Sequence, residues 1–315
     1  MLEKLRRSLS KIVFLTSLRD FLLSLFYPLF QYRHRIPSYT VHSIVESSRD
    51  VSQNNISLSR YGDGELRWLL GVPVTHSFQK NDETLSNRLS EVFKSRDISN
   101  FAISLPELPN KGSGYKFSEQ VAWRAFWVRY GMQLMPLIDP NYIYQNTFIT
   151  RPYMAYKLKH QNEATEVFDN LKQSWNGKVV LIIEGKFTRF GIEDNLLSNA
   201  GDVKRIICPD VNAFEAYKSI YDAAVESFQM FDLDKLIVLI ALGPTATVLC
   251  HDLAKLGVQA VDIGHADIEY SWYQSGAQKK VNVKGKYVNE AKDPFVGELD
   301  QNDERLYNRQ IIKTI

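Results

Sequence analysis

Residues 236–263 read LIVLIALGPTATVLCHDLAKLGVQAVDI, and this stretch decides the fold class of the chain. An apolar run of strand length, Leu236–Leu242, is followed by a helical pattern over Ala246–Leu256 and by a second apolar run, Val258–Ile263. Gly257 stands where the end of a helix favours a left-handed residue. Two short apolar runs separated by a helix predict a βαβ unit, in which both strands are buried and parallel.

The same alternation extends outward from this stretch. A helical pattern covers Asn212–Phe231, and Asn212 with Glu215 has the spacing of a capping box. Alternating strands and helices predict an α/β fold with a Rossmann-like, mostly parallel, doubly wound sheet. The other predicted strands are Ile56–Arg60, Phe101–Leu105, Val179–Ile183 and Lys204–Cys208.

The strands belong to a predicted main domain over residues 41–292, with a helical insertion over residues 106–150 and a polar tail over residues 293–315. Four aromatic residues of the insertion are spaced as one face of a helix, which predicts that they face the core. Because aromatic faces also stack on sugar rings, a ligand-binding platform is the alternative. These residues are Trp123, Phe126, Trp127 and Tyr130.

Residues 1–40 form a basic amphipathic segment and linker. Residues 1–35 hold seven Lys and Arg against two Asp and Glu, a net charge of +5, around the apolar run Ile12–Phe30. A spanning helix needs about 20 apolar residues without charge, and Arg19 and Asp20 interrupt this run. The pattern predicts a helix that lies on an anionic membrane surface, or one that packs on the main domain or on a second copy of the chain.

Composition excludes several classes of protein. The 315 residues are 44% hydrophobic and 23% charged, which is typical of a globular protein and not of a disordered chain. The 38 Lys and Arg against 36 Asp and Glu give a net charge of +2, too balanced for a nucleic-acid binder. Cys208 and Cys250 both lie in apolar runs, which predicts buried thiols in a reducing, cytoplasmic compartment.

The first motif that can carry chemistry is RYGDGE at residues 60–65, where the first predicted strand ends. In an extended chain residues two apart point to the same side, so Asp63 and Glu65 present two carboxylates to one cation. Gly62 lets a ligand approach the backbone closely. Oxygen ligands select Mn²⁺ or Mg²⁺, which in turn hold a diphosphate. The alternative is a turn without a ligand.

Two further motifs follow buried strands and suit a phosphate. Gly243, Pro244 and Thr245 precede a helix, whose N-terminus offers free N–H groups and a positive dipole end. The alternative is an ordinary helix cap by Thr245. Gly185 and Arg189 follow another strand, and the arginine can neutralise a diphosphate through a bidentate contact. A basic surface loop is the alternative there.

The last motif, GHADIE at residues 264–269, follows the strand VQAVDI. In an extended conformation His265, Asp267 and Glu269 face one way, which predicts a metal site or an acid–base site. A solvated edge strand is the alternative. The glycine-rich dinucleotide loop, the P-loop, the HExxH zinc motif and the GxSxG nucleophile motif do not occur in the sequence.

Four runs, in their order along the chain, resemble the GT-D-type bacterial glycosyltransferases over roughly residues 50–292. They are RYGDGEL, IEGKFTRFGIEDNLL, ALGPTATVLCHDLAKLG and DIGHADIEYSWY. The resemblance implies a Rossmann-like fold, a nucleotide-sugar donor that is typically UDP-linked, a divalent metal near a D-x-E motif, and a role in glycosylation of cell-surface adhesins and glycans. Where the family usually has a Gly-Asn-Asp stretch, this chain has Ile192-Glu193-Asp194-Asn195.

By motif match, the resemblance implies that Asp63 and Glu65 are the D-x-E pair and that His265 completes the metal site. Asp267 or Glu269 is the candidate base for the acceptor hydroxyl. The nucleotide sugar is expected to contact Arg60, Gly62, Gly185, Arg189, Gly243, Pro244 and Thr245. The predicted function is therefore a metal-dependent glycosyltransferase that uses Mn²⁺ or Mg²⁺ and acts on a glycan or glycoprotein.

The alternative to this enzyme is a non-catalytic scaffold that binds a nucleotide and attaches a glycan-assembly complex to the membrane through residues 1–35. The scaffold would bind UDP but release none from UDP-sugars, so turnover distinguishes the two functions. The oligomeric state stays open between a monomer and a homo-oligomer.

Overall fold

The computed structural model describes residues 15–34, 39–72, 78–80, 82–110, 113–157, 160–288 and 297–315. Its strands, in chain order, are β1 (Thr40–Val41), β2 (Ser57–Arg60), β3 (Phe101–Leu105), β4 (Ile143–Asn146), β5 (Val179–Gly185), β6 (Asp202–Cys208), β7 (Leu236–Ala241), β8 (Ala260–Asp262) and β9 (Ile311–Thr314).

The helices of the described residues alternate with these strands over most of the chain. They are α1 (residues 15–25), α2 (Tyr27–His34), α3 (Ile44–Gln53), α4 (Asp63–Leu69), α5 (Glu83–Lys94), α6 (Phe117–Leu134), α7 (Gln161–Ser174), α8 (Tyr217–Ser227), α9 (Pro244–Ala254), α10 (Ala266–Gln274) and α11 (Gln301–Gln310). None of these helices is both long enough and apolar enough to cross a membrane.

The nine strands form one sheet in the order β1-β4-β3-β2-β8-β7-β5-β6-β9. All pairs from β4 to β9 are parallel, and the predicted α/β class is confirmed. At the centre, Leu181 of β5 lies opposite Val238 of β7 and Lys204 of β6. Parallel strands are covered on both faces, and this is why β5 and β7 are apolar and almost entirely buried.

The predicted strands agree with the observed ones to within two residues at each end, and Gly257 adopts the expected left-handed conformation with φ +80°. The predicted capping box at Asn212 does not form. Asn212 itself is left-handed, with φ 53°, and its side-chain oxygen accepts a hydrogen bond from the Lys80 backbone instead of capping the helix. A 3₁₀ turn, Ala213–Ala216, therefore precedes α8.

The polar composition of residues 293–315 predicts a tail, but its described part, residues 297–315, belongs to the folded structure. Asp300 caps α11 by accepting hydrogen bonds from two backbone N–H groups, and β9 then pairs in parallel with β6. The short run Ile311–Thr314 adds an edge strand to the sheet, so the fold extends beyond the predicted boundary at residue 292.

Residue contacts divide the chain into two compact units. The smaller unit comprises residues 1–40, 107–143 and 155–157, and it includes α1, α2 and α6. The larger unit comprises residues 41–106, 144–154 and 158–315. The predicted insertion over residues 106–150 corresponds to α6 and its flanks, but its last residues enter the sheet as β4. In α6 three of the four aromatic residues, Trp123, Phe126 and Trp127, are buried, which favours the core role over a sugar-stacking platform.

A buried ion pair connects β5 and β6 with elements far away in sequence. The Arg205 Nη1 atom lies 2.6 Å from Glu184 Oε1, and its Nη2 donates to the Phe190 carbonyl at 2.9 Å. Its Nε donates to the Gln310 side chain of α11, and its guanidinium lies over the ring of Tyr307. One arginine thus holds together two strands, the loop after β5 and the C-terminal helix.

We predict that Arg205→Met lowers the free energy of unfolding by about 3–5 kcal/mol, because the Glu184 carboxylate would remain buried without its partner. Urea denaturation measures this change. Lys204→Met on the same strand is the matched control, since Lys204 makes a partly exposed ion pair with Asp202, and a loss below about 1 kcal/mol is expected for it. Equal losses in the two variants would contradict the structural role of Arg205.

Candidate functional site

The sequence motifs come together at one edge of the sheet. The strands β2, β8, β7 and β5 are consecutive neighbours, and their pairs are parallel, so their carboxyl ends lie at the same edge. Residues 60–65 begin at the last residue of β2, and residues 185–189 begin at the last residue of β5. Residues 264–269 follow β8, and residues 243–245 follow β7. In open α/β sheets ligands bind at this edge.

The motif after β2 is helical and not extended, so the predicted same-side arrangement of Asp63 and Glu65 is wrong. Gly62 precedes α4, and its N–H donates to Glu65 Oε2 at 3.1 Å, which starts the helix at Asp63. In a helix residues two apart point to different sides. Asp63 is accordingly exposed and pairs with Arg67 Nη2 at 3.0 Å, whereas Glu65 turns inward.

The inward side of this motif contains an ion pair between Arg60 of β2 and Asp262 of β8. The Arg60 Nη2 atom lies 2.8 Å from Asp262 Oδ1, and Nε donates to the Asp262 backbone carbonyl at 2.7 Å. The Thr247 hydroxyl lies 3.3 Å from the other carboxylate oxygen. A Cβ on Gly264 would lie 2.2 Å from Arg60 Nη2, so glycine is required where the arginine passes. Arg60, predicted as a ligand contact, is thus already paired.

Asp262 is a functional candidate that sequence reasoning missed. It is the last residue of β8 and is almost completely buried. Its signal in the sequence is a single acid inside the apolar run VQAVDI, at the position where a parallel strand reaches the ligand edge. An acid in that position is costly to bury, which makes it informative.

The pKa of Glu65 is raised to about 7. Burial contributes most to this shift, the negative charge of Asp262 adds to it, and the Arg60 guanidinium opposes it. Burial also raises the pKa of Asp262, again against the effect of Arg60. The carboxyl groups of Glu65 and Asp262 therefore lie close together beside one guanidinium, that of Arg60, at the ends of β2 and β8.

The motif after β8 is helical as well, so the predicted common face of His265, Asp267 and Glu269 is wrong. His265 precedes α10, and the two acids are buried in its first turn. The Glu269 Oε2 atom accepts hydrogen bonds from the backbone N–H groups of Tyr153 and Met154, at 3.2 and 2.9 Å. Asp267 instead takes part in a separate ion cluster.

That cluster contains Asp194, Asp267 and Lys286, and sequence reasoning missed the lysine. The Lys286 ammonium is almost completely buried, 2.6 Å from Asp194 Oδ2 and 2.8 Å from Asp267 Oδ2. The other Asp267 oxygen, Oδ1, is buried and has no hydrogen-bond partner in the described structure. The signal in the sequence is the run VKGKYV at residues 283–288, and its partners lie too far away in sequence to be predicted.

At the turn after β7, Thr245 does not cap the helix. Gly243 stands at the cap position with φ +54°, Pro244 is the first residue of α9, and no side chain caps this end. A Cβ on Gly243 would lie 2.4 Å from the ring of Phe78, so the close approach of that ring requires glycine. The Thr245 hydroxyl is buried and lacks a hydrogen-bond partner in the described structure.

The loop after β5 is held by the C-terminal part of the chain. The Arg189 Nη1 atom donates to the carbonyls of Gly285 and Gly297, at 2.8 and 3.1 Å. Gly185 ends β5, and a Cβ there would lie 3.4 Å from the Asp210 backbone. Arg189 is therefore a positioned cation of this loop, with one of its nitrogens already bonded to the protein.

The three predicted metal ligands, Asp63, Glu65 and His265, do not form a compact set of ligand atoms. Among the described residues, the one group of three acids with ligand atoms within 4.8 Å of one another consists of Glu193, Asp300 and Asp303. Glu193 stands in the stretch where the related family usually has Gly-Asn-Asp. Its backbone φ is +60°, a conformation that glycine adopts without strain. Its carboxylate forms an ion pair with Lys284.

A parallel α/β sheet with acids and a helix N-terminus gathered at its carboxyl edge is typical of enzymes that bind nucleotides. The family model described as the glycosyltransferase GT-D fold matches residues 58–291. This chain belongs to that family, as its motifs predict.

Relatives and solved structures agree with this assignment. The probable glycosyl transferase Gly of Streptococcus gordonii is 32% identical over 276 residues, which are 88% of this chain and 39% of that protein. The glycosyltransferase GlyD of Streptococcus pneumoniae is 30% identical over 275 residues, 87% of this chain and 32% of that protein. This chain thus spans 39% and 32% of the length of these two relatives.

Two similar solved structures cover nearly the whole chain. One is the domain of unknown function 1792, described as having a distinct glycosyltransferase fold, with 31% identity and a TM-score of 0.79 over 89% of this chain and 97% of that one. The other is described as a new glycosyltransferase from Streptococcus sanguinis, with 32% identity and a TM-score of 0.78 over 88% of this chain and 100% of that one.

We predict a pH-dependent effect of Glu65→Gln on stability, measured as the free energy of unfolding in the presence of EDTA. Because the folded-state pKa of Glu65, about 7, lies above its ordinary value of 4.5, the native state favours the protonated carboxyl. Below pH 4.5, wild type and variant are expected to have the same free energy of unfolding. The wild type then becomes less stable than the variant by about 1–3 kcal/mol as pH rises through 7.

Glu46→Gln is the contrasting control. Hydrogen bonds from Ser43 lower the pKa of Glu46, so its stabilising effect is present above the ordinary value and is lost as pH falls. The stability difference between wild type and this variant is therefore expected to change with the opposite sign. If the difference in unfolding free energy between wild type and Glu65→Gln stayed constant from pH 4 to 8, the assigned environment of Glu65 would be contradicted.

Proposed function

We propose that this protein is a metal-dependent glycosyltransferase that moves a sugar from a nucleotide-sugar donor, UDP-linked by preference, to a hydroxyl group of a glycan or glycoprotein. The observation that supports this most is the position of three motifs at the ends of adjacent strands. Residues 60–65, 264–269 and 243–245 follow β2, β8 and β7 within a chain of the GT-D family. The proposed donor site lies along this edge.

The residues around Arg60 fit a divalent cation. Glu65 and Asp262 place two carboxylates beside one guanidinium, and the raised pKa values of both carboxyl groups reflect unfavourable ionisation. A cation next to them would offset the repulsion, and carboxylate oxygens suit Mn²⁺ or Mg²⁺. Glu65 and Asp262 are the proposed ligands that lie beside Arg60 in this structure. Asp63 and His265 stay as proposed ligands from the motif match, and because their ligand atoms do not lie in one compact set with that of Glu65, they would have to move toward the ion. When bound, the ion would neutralise charge on the departing diphosphate.

The diphosphate of the donor is proposed to lie at the N-terminus of α9. Pro244 has no N–H, and the Ala246 N–H donates to the Gly243 carbonyl at 2.9 Å. The buried Thr245 hydroxyl, which has no partner in the described structure, is therefore the proposed donor of hydrogen bonds to the diphosphate. Gly243, Gly185 and Gly62 are proposed to border the donor, and at Gly243 the missing side chain is what admits the ring of Phe78. Arg60 and Arg189 already bind protein groups, so we assign them a role in fixing positive charge near the donor.

The acceptor hydroxyl needs a base, and Asp267 is the stronger of the two candidates. Glu269 already accepts two backbone hydrogen bonds, whereas Asp267 Oδ1 has no hydrogen-bond partner in the described structure. Lys286 holds the other oxygen of Asp267 and thereby fixes the orientation of the carboxylate. In the proposed step the acceptor proton moves to Asp267 Oδ1 and the hydroxyl oxygen forms a bond to the anomeric carbon of the sugar. The bond between that carbon and the diphosphate oxygen breaks, and the nucleoside diphosphate leaves with the bonding electron pair.

We place this reaction at the cytoplasmic face of the membrane, where the protein would be attached peripherally. Both cysteines are free and buried, which suits a reducing compartment. The net charge of +5 in residues 1–35 favours an anionic surface.

We predict that Asp63→Asn, Glu65→Gln and His265→Ala each reduce metal-stimulated release of UDP from UDP-sugars by about a hundredfold, the usual effect of removing one stabilising group from a transition state. A panel of nucleotide sugars, assayed with Mn²⁺ and with EDTA, measures the release. For Glu65→Gln the melting temperature should not fall, because neutralising one of the two crowded carboxylates relieves repulsion.

Asp234→Asn and Glu298→Gln are the matched controls, since each removes one acid of a pair with the same spacing but without a glycine between the two acids, and both should keep full turnover. Equal turnover with Mn²⁺ and with EDTA would remove the metal from the proposal. Binding of UDP without any release from UDP-sugars would favour the scaffold.

A further inference from the structure

The helices α1 and α2 leave an unusually large apolar surface exposed. Eight large apolar side chains of these helices have exposed fractions between 40% at Phe21 and 86% at Tyr32. Patches of this kind on a soluble protein mark an interaction site. We call these side chains the N-terminal face; they are Leu15, Leu18, Phe21, Leu22, Leu25, Phe26, Leu29 and Tyr32.

The spacing of the N-terminal face places it on one side. Its leucines at positions 15, 18, 22 and 25 of α1 recur in steps of three and four residues, which align along one stripe of a helix, and Leu29 follows in α2. An apolar stripe on such a helix is suited to lie in the plane of a membrane surface.

The opposite side of the same helices is already occupied by α6. Arg129 Nη2 of α6 donates to Asp20 Oδ1 at 2.8 Å, and Tyr27 and Phe30 are buried. The Phe30 ring lies so close to Gly131 of α6 that a Cβ there would be 2.8 Å from it. The helices are therefore anchored by one side and do not need the N-terminal face for folding.

Charge decides which partner fits the N-terminal face. Residues 1–35 carry a net charge of +5, and both Arg19 and Arg33 are exposed. Two copies of the chain joined along this stripe would bring two segments of the same sign together, which is repulsive. An anionic bilayer instead attracts the basic residues and takes up the apolar side chains.

We propose that α1 and α2 form a preformed docking surface for an anionic lipid bilayer, with the N-terminal face in the bilayer and α6 on the other side. This refines the membrane location proposed above. It does not depend on the reaction, because lipid binding and sugar release are measured separately. The surface docks as a folded unit, and α1 does not need to leave α6.

The first test compares Leu22→Glu/Leu25→Glu with Met132→Glu/Ile143→Glu, which also changes two exposed apolar residues of the smaller unit. Sedimentation with mixed phosphatidylglycerol–phosphatidylcholine vesicles measures binding. We expect the first variant to bind about a hundredfold more weakly than wild type, from the loss of two buried leucines. The control should bind like wild type, and pure phosphatidylcholine should bind all three proteins weakly.

The second test links α1 to α6 covalently. Asp20→Cys/Arg129→Cys, joined by a short bismaleimide, should keep the vesicle binding of the same variant without the link, because the docking surface is preformed. The native Cys208 and Cys250 are buried and should not react.

Three results would overturn the proposal. The linked protein would lose vesicle binding if α1 must detach from α6. Leu22→Glu/Leu25→Glu would bind vesicles like wild type if another surface were responsible. Light scattering would show a dimer that this variant abolishes, without any vesicle binding by wild type, if a second copy of the chain occupied the face. Release of UDP in the absence of vesicles should be equal in all these proteins.

Discussion

The contact between β2 and β8 is the junction on which the rest of the structure depends, because it joins the two halves of the sheet. The strands β3, β4 and β1 lie beyond β2, and β7, β5, β6 and β9 lie beyond β8. The described register of this junction is a single pair, Leu58 opposite Val261, so side chains must strengthen it. The Ser57 hydroxyl bonds to the backbone at the start of β8, and Arg60 binds both the carbonyl and the carboxylate of Asp262.

The same junction determines the electrostatics of the candidate site. The loops after β2 and β8 both lie at the carboxyl edge of the sheet, where open α/β sheets bind their ligands. The side chains that hold the junction together are charged, and Glu65 adds a second carboxylate that one guanidinium does not balance. An anionic donor would be repelled by this surplus unless a cation lay between them, which is the physical basis for the proposed metal.

How much the sequence predicts depends on the range of the interactions involved. The strands β5 and β7 are predictable because buried parallel strands are apolar throughout, and the edge strand β9 is not, because its residues are partly exposed.

The alternation in residues 60–65 and 264–269 predicts extended segments, yet both motifs begin helices. The helix signals were available in the first motif, where Gly62 precedes an acid at the third helical position, a capping arrangement that overrides alternation. The partners of Arg60 and Asp267 were not predictable, since they come from residues 202 and 19 positions away.

The long-range partners also assign a role to the C-terminal part of the chain, which lies largely outside the segment that the family model matches. The loop after β5 is held by Arg189, whose nitrogen binds the carbonyls of Gly285 and Gly297, and Arg205 connects the same loop to α11. Buried ion pairs cost desolvation and contribute little net stability compared with apolar packing, but removing one partner is severely destabilising. Such pairs therefore act less as a source of stability than as a constraint on geometry. In this fold they fix the loop that faces the candidate donor site, so α11 and β9 position the site although they contribute no residue to it.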